Sequence, residues 1–141
     1  MNMNPTRIVV RSTMREAAEL VSQSQTSDLA VVDESGRFIG VLSEGDLIRA
    51  ALPKLDEIVR GGGSMSEAFE LFALNGKDLA NQPIDRLVIR DFIAVHADDE
   101  LMKVAVVMVS RNIRRLHVTE DDRLVGSISR ADICRAVLSP R

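Results

Sequence analysis

The chain carries one sequence pattern twice, and this duplication limits the folds open to it. Residues 29–50 read LAVVDESGRFIGVLSEGDLIRA, and residues 116–136 read LHVTEDDRLVGSISRADICRA. Once one loop residue of the first copy is dropped, the two segments align end to end, so that Asp46 falls on Asp132. A unit of this size that occurs only twice predicts two half-domains sharing one core, not an open solenoid.

The composition fits a small folded domain and argues against nucleic acid and membranes as partners. Of 141 residues, 45% are hydrophobic, the net charge is −3, and Tyr and Trp are absent. Nucleic-acid binding usually needs a basic face and stacking rings. No apolar run approaches the roughly 18 residues of a membrane span, and no signal peptide opens the chain. The single cysteine, Cys134, excludes a disulfide framework, so we expect a cytoplasmic protein with Cys134 in its core.

Each copy switches from helical to strand periodicity and back. Helical spacing is followed by two short strand patterns with a turn between them, and then by a second helix. A short strand precedes the first helix of each copy, at Arg7–Val10 and at Phe92–Val95. We therefore predict an α/β (α+β) fold of two β-α-β-β-α units. The expected divisions are 1–52, 53–82 and 83–141.

The segment between the copies differs in character. Gly61–Ser64 is expected to be flexible. Ser66 can cap a helix that ends at Asn75–Gly76, and Pro83 can open a helical turn at Ile84–Val88. Three apolar side chains of this helix need burial, so we expect the helix to cover a cleft or the edge of a dimer. They are Phe69, Leu71 and Phe72.

Two Ser–Asp pairs stand where a strand gives way to a helix: Ser43 with Asp46, and Ser129 with Asp132. Such a pair can form a capping box, in which the serine accepts an amide proton and the acid reaches back. The same groups can serve a ligand, because amides at a helix start form an anion site and a carboxylate can accept ribose hydroxyls. The two roles can coexist in one residue.

A cluster of cations is expected around Asp132 but not around Asp46. Arg114 and Arg115 follow the first helix of the second copy, and Arg130 begins its next helix. The equivalent residues of the first copy are Ser27, Asp28 and Glu44. A phosphate group should therefore prefer the Asp132 side, where arginines offer charge-assisted hydrogen bonds. A solvated basic pair is the alternative interpretation of the adjacent arginines.

Catalytic and metal-binding signals are weak. His96 and His117 are the only histidines, and neither has a cysteine or second histidine at ligand spacing. No side-chain pair resembles a nucleophile with its base, and no glycine-rich loop resembles a phosphate-binding motif. His117 is expected to be a partly buried strand residue. These observations favour a protein that is not an enzyme.

The duplicated motifs resemble a tandem pair of cystathionine-β-synthase (CBS) domains, also called a Bateman module. The resemblance is carried by the VVDESG turn and by GVLSEGD and GSISRAD. It implies two units packed about a pseudo-two-fold axis, with clefts between them that bind adenosyl compounds such as AMP, ADP, ATP or S-adenosylmethionine. The chain departs from the family at Ala30 and His117, where a proline is common.

The same resemblance implies which residues form the clefts, since each cleft mixes both units. One cleft would use Thr6, Thr26 and Ser27 with Ser129, Asp132 and Arg115. The other would use Ile93, Ile113 and Arg114 with Ser43 and Asp46. Arg130 would add a third cation near Asp132.

The resulting hypothesis is a regulatory module without catalysis or a cofactor of its own. It would bind an adenosyl ligand and couple its occupancy to an unidentified protein partner or to a dimer interface. Apolar helix surfaces predict a homodimer; they comprise Leu47, Ile48, Leu52, Ile133, Val137 and Leu138. The rival hypothesis is a structural homodimerisation or protein-interaction module with vestigial clefts.

Overall fold

The computed structural model describes residues 3, 5–52 and 55–139, and its first unit has the predicted order of elements. This unit comprises β1 (Arg7–Val9), α1 (Met14–Ser24), β2 (Asp28–Val32), β3 (Phe38–Ser43) and α2 (Glu44–Ala51). The predicted β-α-β-β-α order is therefore confirmed for the first copy.

The connecting segment contains two helices and a short helical turn. They are α3 (Leu55–Arg60), α4 (Met65–Leu79) and a 3-10 helix (Ile84–Leu87). The turn after Pro83 is confirmed, whereas the predicted bounds of the inserted helix are wrong. Its cap is Ser64 and not Ser66. It also runs through Asn75–Gly76, because packing against the first unit outweighs the weak helix propensity of these two residues.

The second unit repeats the first. It comprises β4 (Ala94–His96), α5 (Leu101–Ser110), β5 (Arg115–Glu120), β6 (Arg123–Ser129) and α6 (Arg130–Leu138). β4 begins two residues later than the sequence suggests, since its pairing with β5 starts only at Ala94.

Each unit forms a three-stranded sheet, and the two sheets have the same register. β2 pairs in parallel with β1 and antiparallel with β3, and β5 does the same with β4 and β6. Asp28 lies opposite Ser43 in the first sheet, and Arg115 lies opposite Ser129 in the second. Residues that align in sequence therefore occupy equivalent places in the two units.

The two units are joined around a local two-fold axis. Arg37 and Arg123 are equivalent residues, and they pair with each other in an antiparallel bridge. Next to this bridge, the amide of Phe38 donates to the carbonyl of Asp122 at 2.8 Å. Phe38 and its equivalent, Leu124, belong to one buried cluster. Antiparallel contact between equivalent residues is what a two-fold axis produces.

The segment after the 3-10 helix closes the outer edge of the first sheet. Val41 and Ile89 exchange both backbone hydrogen bonds, at 3.0 and 2.8 Å. Gly40 permits this approach, because a Cβ atom there would lie 2.6 Å from the carbonyl oxygen of Ile89. The connection between the units is thus part of the first sheet's architecture.

The helix α4 lies against the helices of the first unit. The Asn75 side chain donates to the carbonyl of Ala51 at 3.0 Å, and the Arg15 amide donates to the carbonyl of Ala80 at 3.0 Å. The expected burial is wrong for Phe69 and Leu71, which are 73% and 38% exposed, whereas Phe72 is half-buried. α4 buries the face that carries Ala68, which is almost inaccessible.

The glycine run between α3 and α4 has a defined turn conformation. The Gly63 amide bonds to the carbonyl of Ile58 at 2.8 Å, and the Gly62 amide bonds to that of Val59 at 3.1 Å. Gly62 has a φ of 84°. These features form a Schellman motif, which ends a helix and here reverses the chain into α4.

Two further expectations can be compared with the fold. Cys134 is exposed on α6 and not in the core, because it borders an open groove between α6 and α5. Among the residues that the structure describes, no helix has both the length and the apolar character needed to span a bilayer.

We predict that the 3-10 helix is essential to the core of the first unit. Ile84 is fully buried there, so Ile84→Ala should lower the free energy of unfolding by about 2 to 5 kcal/mol. Ile48→Ala is the matched control, because Ile48 is 52% exposed and its truncation should cost less than about 0.5 kcal/mol. Urea denaturation of both variants measures the difference, and equal losses would contradict this role of Ile84.

Candidate functional site

A large cavity lies between the units, on their pseudo-two-fold axis. It has a volume of about 870 Å³. Four pairs of equivalent residues line this cavity, and residues around the start of α6 complete its wall. The pairs are Gln25 with Asn112, Thr26 with Ile113, Ser27 with Arg114, and Asp28 with Arg115; the other lining residues are Ser129 at the end of β6, and Arg130 and Ala131 at the start of α6. The turns before β2 and β5 therefore meet in one cleft.

The predicted residues of both clefts can be compared with the lining of this cavity and of a neighbouring slot. Residues expected in different clefts line the same cavity, because both turns reach the two-fold axis. The predicted residues that line it are Thr26, Ser27, Ile113, Arg114, Arg115, Ser129 and Arg130. Ile93 lines a neighbouring slot that also takes in Ile113 and Arg115. Four predicted residues are among the lining residues of neither cavity: Thr6, Ser43, Asp46 and Asp132.

The two Ser–Asp pairs form matching capping boxes. Ser43 Oγ accepts from the amide of Asp46 at 3.1 Å, and Ser129 Oγ accepts from the amide of Asp132 at 3.2 Å. In return each aspartate accepts from its serine's amide, at 3.4 Å for Asp46 and 2.9 Å for Asp132. The capping role is thus present in both copies. Only the α6 copy opens onto the large cleft, through Ser129.

The second unit supplies the cations of the cleft. Arg115 Nη1 donates to Ser127 Oγ at 3.0 Å. Arg130 donates through Nε to the carbonyl of Ile113 and through Nη2 to Asn112 Oδ1, both at 3.0 Å. These bonds hold two guanidinium groups in fixed positions at the cleft wall. Arg114 is exposed beside them.

The first unit supplies acids at the equivalent positions. Burial raises the pKa of Asp28, and the nearby carboxylates of Asp46 and Glu44 raise it further, while Arg115 opposes them. Burial also disfavours ionisation of Asp46, but hydrogen bonds from Arg49 and Ser43 hold its pKa below the usual value. The charge inversion expected from sequence therefore lies across a single cleft, with Asp28 facing Arg115.

The equivalence of the two sides is also visible in the backbone. The Glu44 amide donates to the carbonyl of Ser27 at 2.8 Å, and the Arg130 amide donates to that of Arg114 at 3.0 Å. Opposite charges thus occupy equivalent positions at the starts of α2 and α6. The difference between the two sides arises from side chains alone.

A smaller, mostly apolar slot of about 270 Å³ adjoins the cleft. Its apolar lining residues include Val41, Ile89, Phe92, Ile93 and Leu116, and its polar lining residues include Asp28, Asp91, Arg115 and His117. The slot shares Asp28, Ile113 and Arg115 with the large cleft. One elongated ligand could therefore contact both cavities.

His117 is the functional candidate that the motif analysis missed. Its side chain is buried at the unit boundary, where the ring centroid lies 5.2 Å from that of Phe38. Nδ1 has no hydrogen-bond partner among the described residues. Burial, assisted by Arg115, lowers the pKa of His117 to about 4. The replacement of a proline common in the resembling family was the only sequence signal at this position.

No group of three or more His, Cys, Asp or Glu side chains within residues 5–52 and 55–139 is arranged to hold a metal ion. The candidate site consists of the cleft with its arginines and acids, together with the adjoining apolar slot. Such a site suits an anionic ligand with a flat apolar end.

Comparison with protein families gives one match. The model of the CBS domain family matches residues 1–53 and 82–139. Among curated proteins, MJ1225 from Methanocaldococcus jannaschii is 29% identical over 120 residues, which cover 85% of this chain and 35% of that protein. The chain thus spans much less than the full length of this relative.

Solved structures share the fold. The crystal structure of MJ1225 superposes with a TM-score of 0.75 and 22% identity, covering 96% of this chain and 45% of that one. The crystal structure of CBSX2 in complex with AMP has a TM-score of 0.68 and 24% identity, and the match covers 95% of this chain and 87% of that one. The cytosolic domain of the Mg²⁺ channel MgtE in complex with ATP has a TM-score of 0.68 and 22% identity, and the match covers 94% of this chain and 45% of that one.

We predict that His117 makes stability depend on pH. Its pKa of about 4 in the folded state is below the ordinary 6.5, so the unfolded chain binds the extra proton first as pH falls. The stabilisation is complete well above pH 6.5 and decreases below it. Between pH 7 and 5 the loss should be about 2 kcal/mol.

Urea denaturation at both pH values measures this loss. His117→Phe should remove most of the slope, while His96→Phe, at an exposed position, should retain it. An unchanged slope in His117→Phe would assign the effect to other groups.

Proposed function

The chain belongs to the CBS domain family, and from that premise we propose that it is a non-catalytic regulatory module that binds an adenosyl ligand between its two units. One observation carries this proposal. The large cleft lies on the pseudo-two-fold axis and is lined by equivalent residues of both units, with three arginines on one side. A ligand there contacts both halves of the molecule.

The chemistry of the cleft supports a nucleotide. Arg114, Arg115 and Arg130 can bind phosphate oxygens, and the start of α6 adds the positive end of a helix dipole. The family resemblance assigns the binding of the ribose hydroxyls to Asp132, one turn into the same helix, and we adopt this role in the proposal. AMP, ADP and ATP are the favoured ligands for this side. The acids of the first unit favour an uncharged or cationic compound such as S-adenosylmethionine.

Regulation would follow from the position of the cleft. A ligand that binds both units stabilises the relative orientation in which it fits best, and thereby shifts the population of orientations. A protein partner, or a second copy of the chain, that senses this orientation would respond to occupancy. Because the chain covers only part of MJ1225, the regulated activity can also reside in other segments or proteins.

A structural role is the competing proposal. In that case the clefts are vestigial and the chain serves only to bring protein subunits together. Direct binding separates the two proposals, because a ligand specific for the folded state raises its stability by about 2.7 kcal/mol at a hundredfold excess over Kd. A cytoplasmic location is consistent with both.

We further propose a homodimer that forms through the helices of the second unit. α5 exposes Met102, Val106 and Val109 on one face, with exposed fractions of 77%, 57% and 78%. On the first unit, α4 covers part of the equivalent helix pair. We therefore assign the interface to this apolar face of the second unit.

AMP should require the Asp132 side of the cleft. Asp132→Asn keeps a side chain that can accept hydrogen bonds but removes the carboxylate for ribose, so it should weaken AMP binding about tenfold or more. Asp46→Asn is the matched control, since it makes the same change in the other capping box. Isothermal titration calorimetry measures both affinities. Loss of binding in Asp46→Asn, with Asp132→Asn unaffected, would reverse the assignment.

Val109→Glu should convert the dimer into a monomer, because a buried unpaired carboxylate at an interface is strongly unfavourable. Sedimentation equilibrium measures the change in mass. Phe69→Glu is the control, since Phe69 is 73% exposed on α4. If this second variant alone dissociates the dimer, the interface involves α4. A wild-type monomer at all concentrations would exclude the dimer.

A further inference from the structure

His117 is the one buried polar side chain whose nitrogen lacks a partner among the residues described. Its relative exposure is 5%, although it lines the slot beside the large cleft. A buried acceptor or donor without a hydrogen bond is unfavourable by about 1 to 3 kcal/mol. The equivalent residue in the first unit is Ala30, which has no such group. This buried nitrogen is therefore specific to one side of the molecule.

The surroundings of His117 fit a flat heteroaromatic ring. Phe92 and Ile93 from the connection, with Val41 and Leu116 from the strands, give the slot apolar walls. The ring of Phe38 contacts both aromatic neighbours in tilted arrangements. Its centroid lies 4.3 Å from that of Phe92 and 5.2 Å from that of His117. An aromatic ligand ring would extend this cluster.

The polar groups of the slot favour a ligand that donates hydrogen bonds. Asp28 and Asp91 line it with carboxyl groups. An ionised carboxylate accepts hydrogen bonds and donates none. His117 is neutral at pH 7 because its pKa is about 4, so one of its ring nitrogens accepts. An exocyclic amino group suits these acceptors better than a carbonyl oxygen does.

The slot is also correctly placed relative to the arginines. Arg115 lines both the slot and the large cleft, and Asp28 and Ile113 do the same. A ligand whose phosphate lies near Arg115 can therefore direct its base toward His117. This arrangement requires the nucleotide site proposed above, and the inference rests on that proposal.

We infer that His117 is a specificity-determining residue: its Nδ1 accepts a hydrogen bond from the amino group of a 6-aminopurine bound in the slot. The proton of the imidazole then resides on Nε2. A purine without the amino group leaves Nδ1 unpaired, and a 6-oxo purine places an acceptor against it. The side chain thus selects adenine among purine bases, and its removal relaxes this selection.

The test compares three nucleotides with wild-type protein and two variants by calorimetric titration. The nucleotides are AMP, inosine 5′-monophosphate and purine riboside 5′-monophosphate. Wild type should bind AMP about tenfold more tightly than purine riboside monophosphate, the ratio expected for one buried hydrogen bond. His117→Phe keeps an aromatic ring beside Phe38 but has no acceptor, so the ratio should fall several-fold. His117→Asn, whose Oδ1 can accept, should restore part of the preference.

The comparison uses ratios within each variant, so a general loss of affinity or stability does not imitate the result. His96→Phe, at an exposed strand position, should keep the wild-type ratio. An unchanged AMP preference in His117→Phe would overturn the inference while leaving the proposed nucleotide site in place. A wild-type protein that binds none of the three nucleotides would overturn both.

Discussion

The contact between the two sheets is the interaction on which the rest of the structure depends. Each three-stranded sheet covers one face with its own helices and has only the other unit to cover the opposite face. The residues at this contact are Ala30, Val32, Phe38 and Leu124, each with an exposed fraction of 7% or less. Burial of this cluster fixes how the units meet. It also places the starts of β2 and β5 side by side, and thereby creates the cleft.

Much of this fold could be predicted from sequence because the same pattern occurs twice. The capping boxes at Ser43 and Ser129 and the turn after Pro83 are local signals, and the structure has these three features. The errors lie where tertiary packing overrides local preference. α4 passes through Asn75–Gly76 because its far end packs on the first unit, and its aromatic Phe69 faces outward. Neither outcome is encoded in the spacing of apolar residues.

The candidate site shows the same division between local and long-range information. Alignment of the copies paired Ser27 with Arg114 and Asp28 with Arg115, and the backbone places these pairs as expected. It could not show that both turns open into one cavity, because this depends on the angle between the units. His117 was similarly hidden, because its position in an apolar strand does not show that its ring meets Phe38 of the other unit.

The bridge between Val41 and Ile89 has a consequence for how such a chain can be divided. An unpaired edge strand offers its backbone groups to any other strand and promotes aggregation. Here the outer edge of β3 is occupied by the segment that leads to the second unit, and Gly40 is the residue that allows it to approach. A single repeat cut out before this segment would lose its own edge protection. The first sheet therefore owes the protection of its edge to the segment that connects it to the second unit.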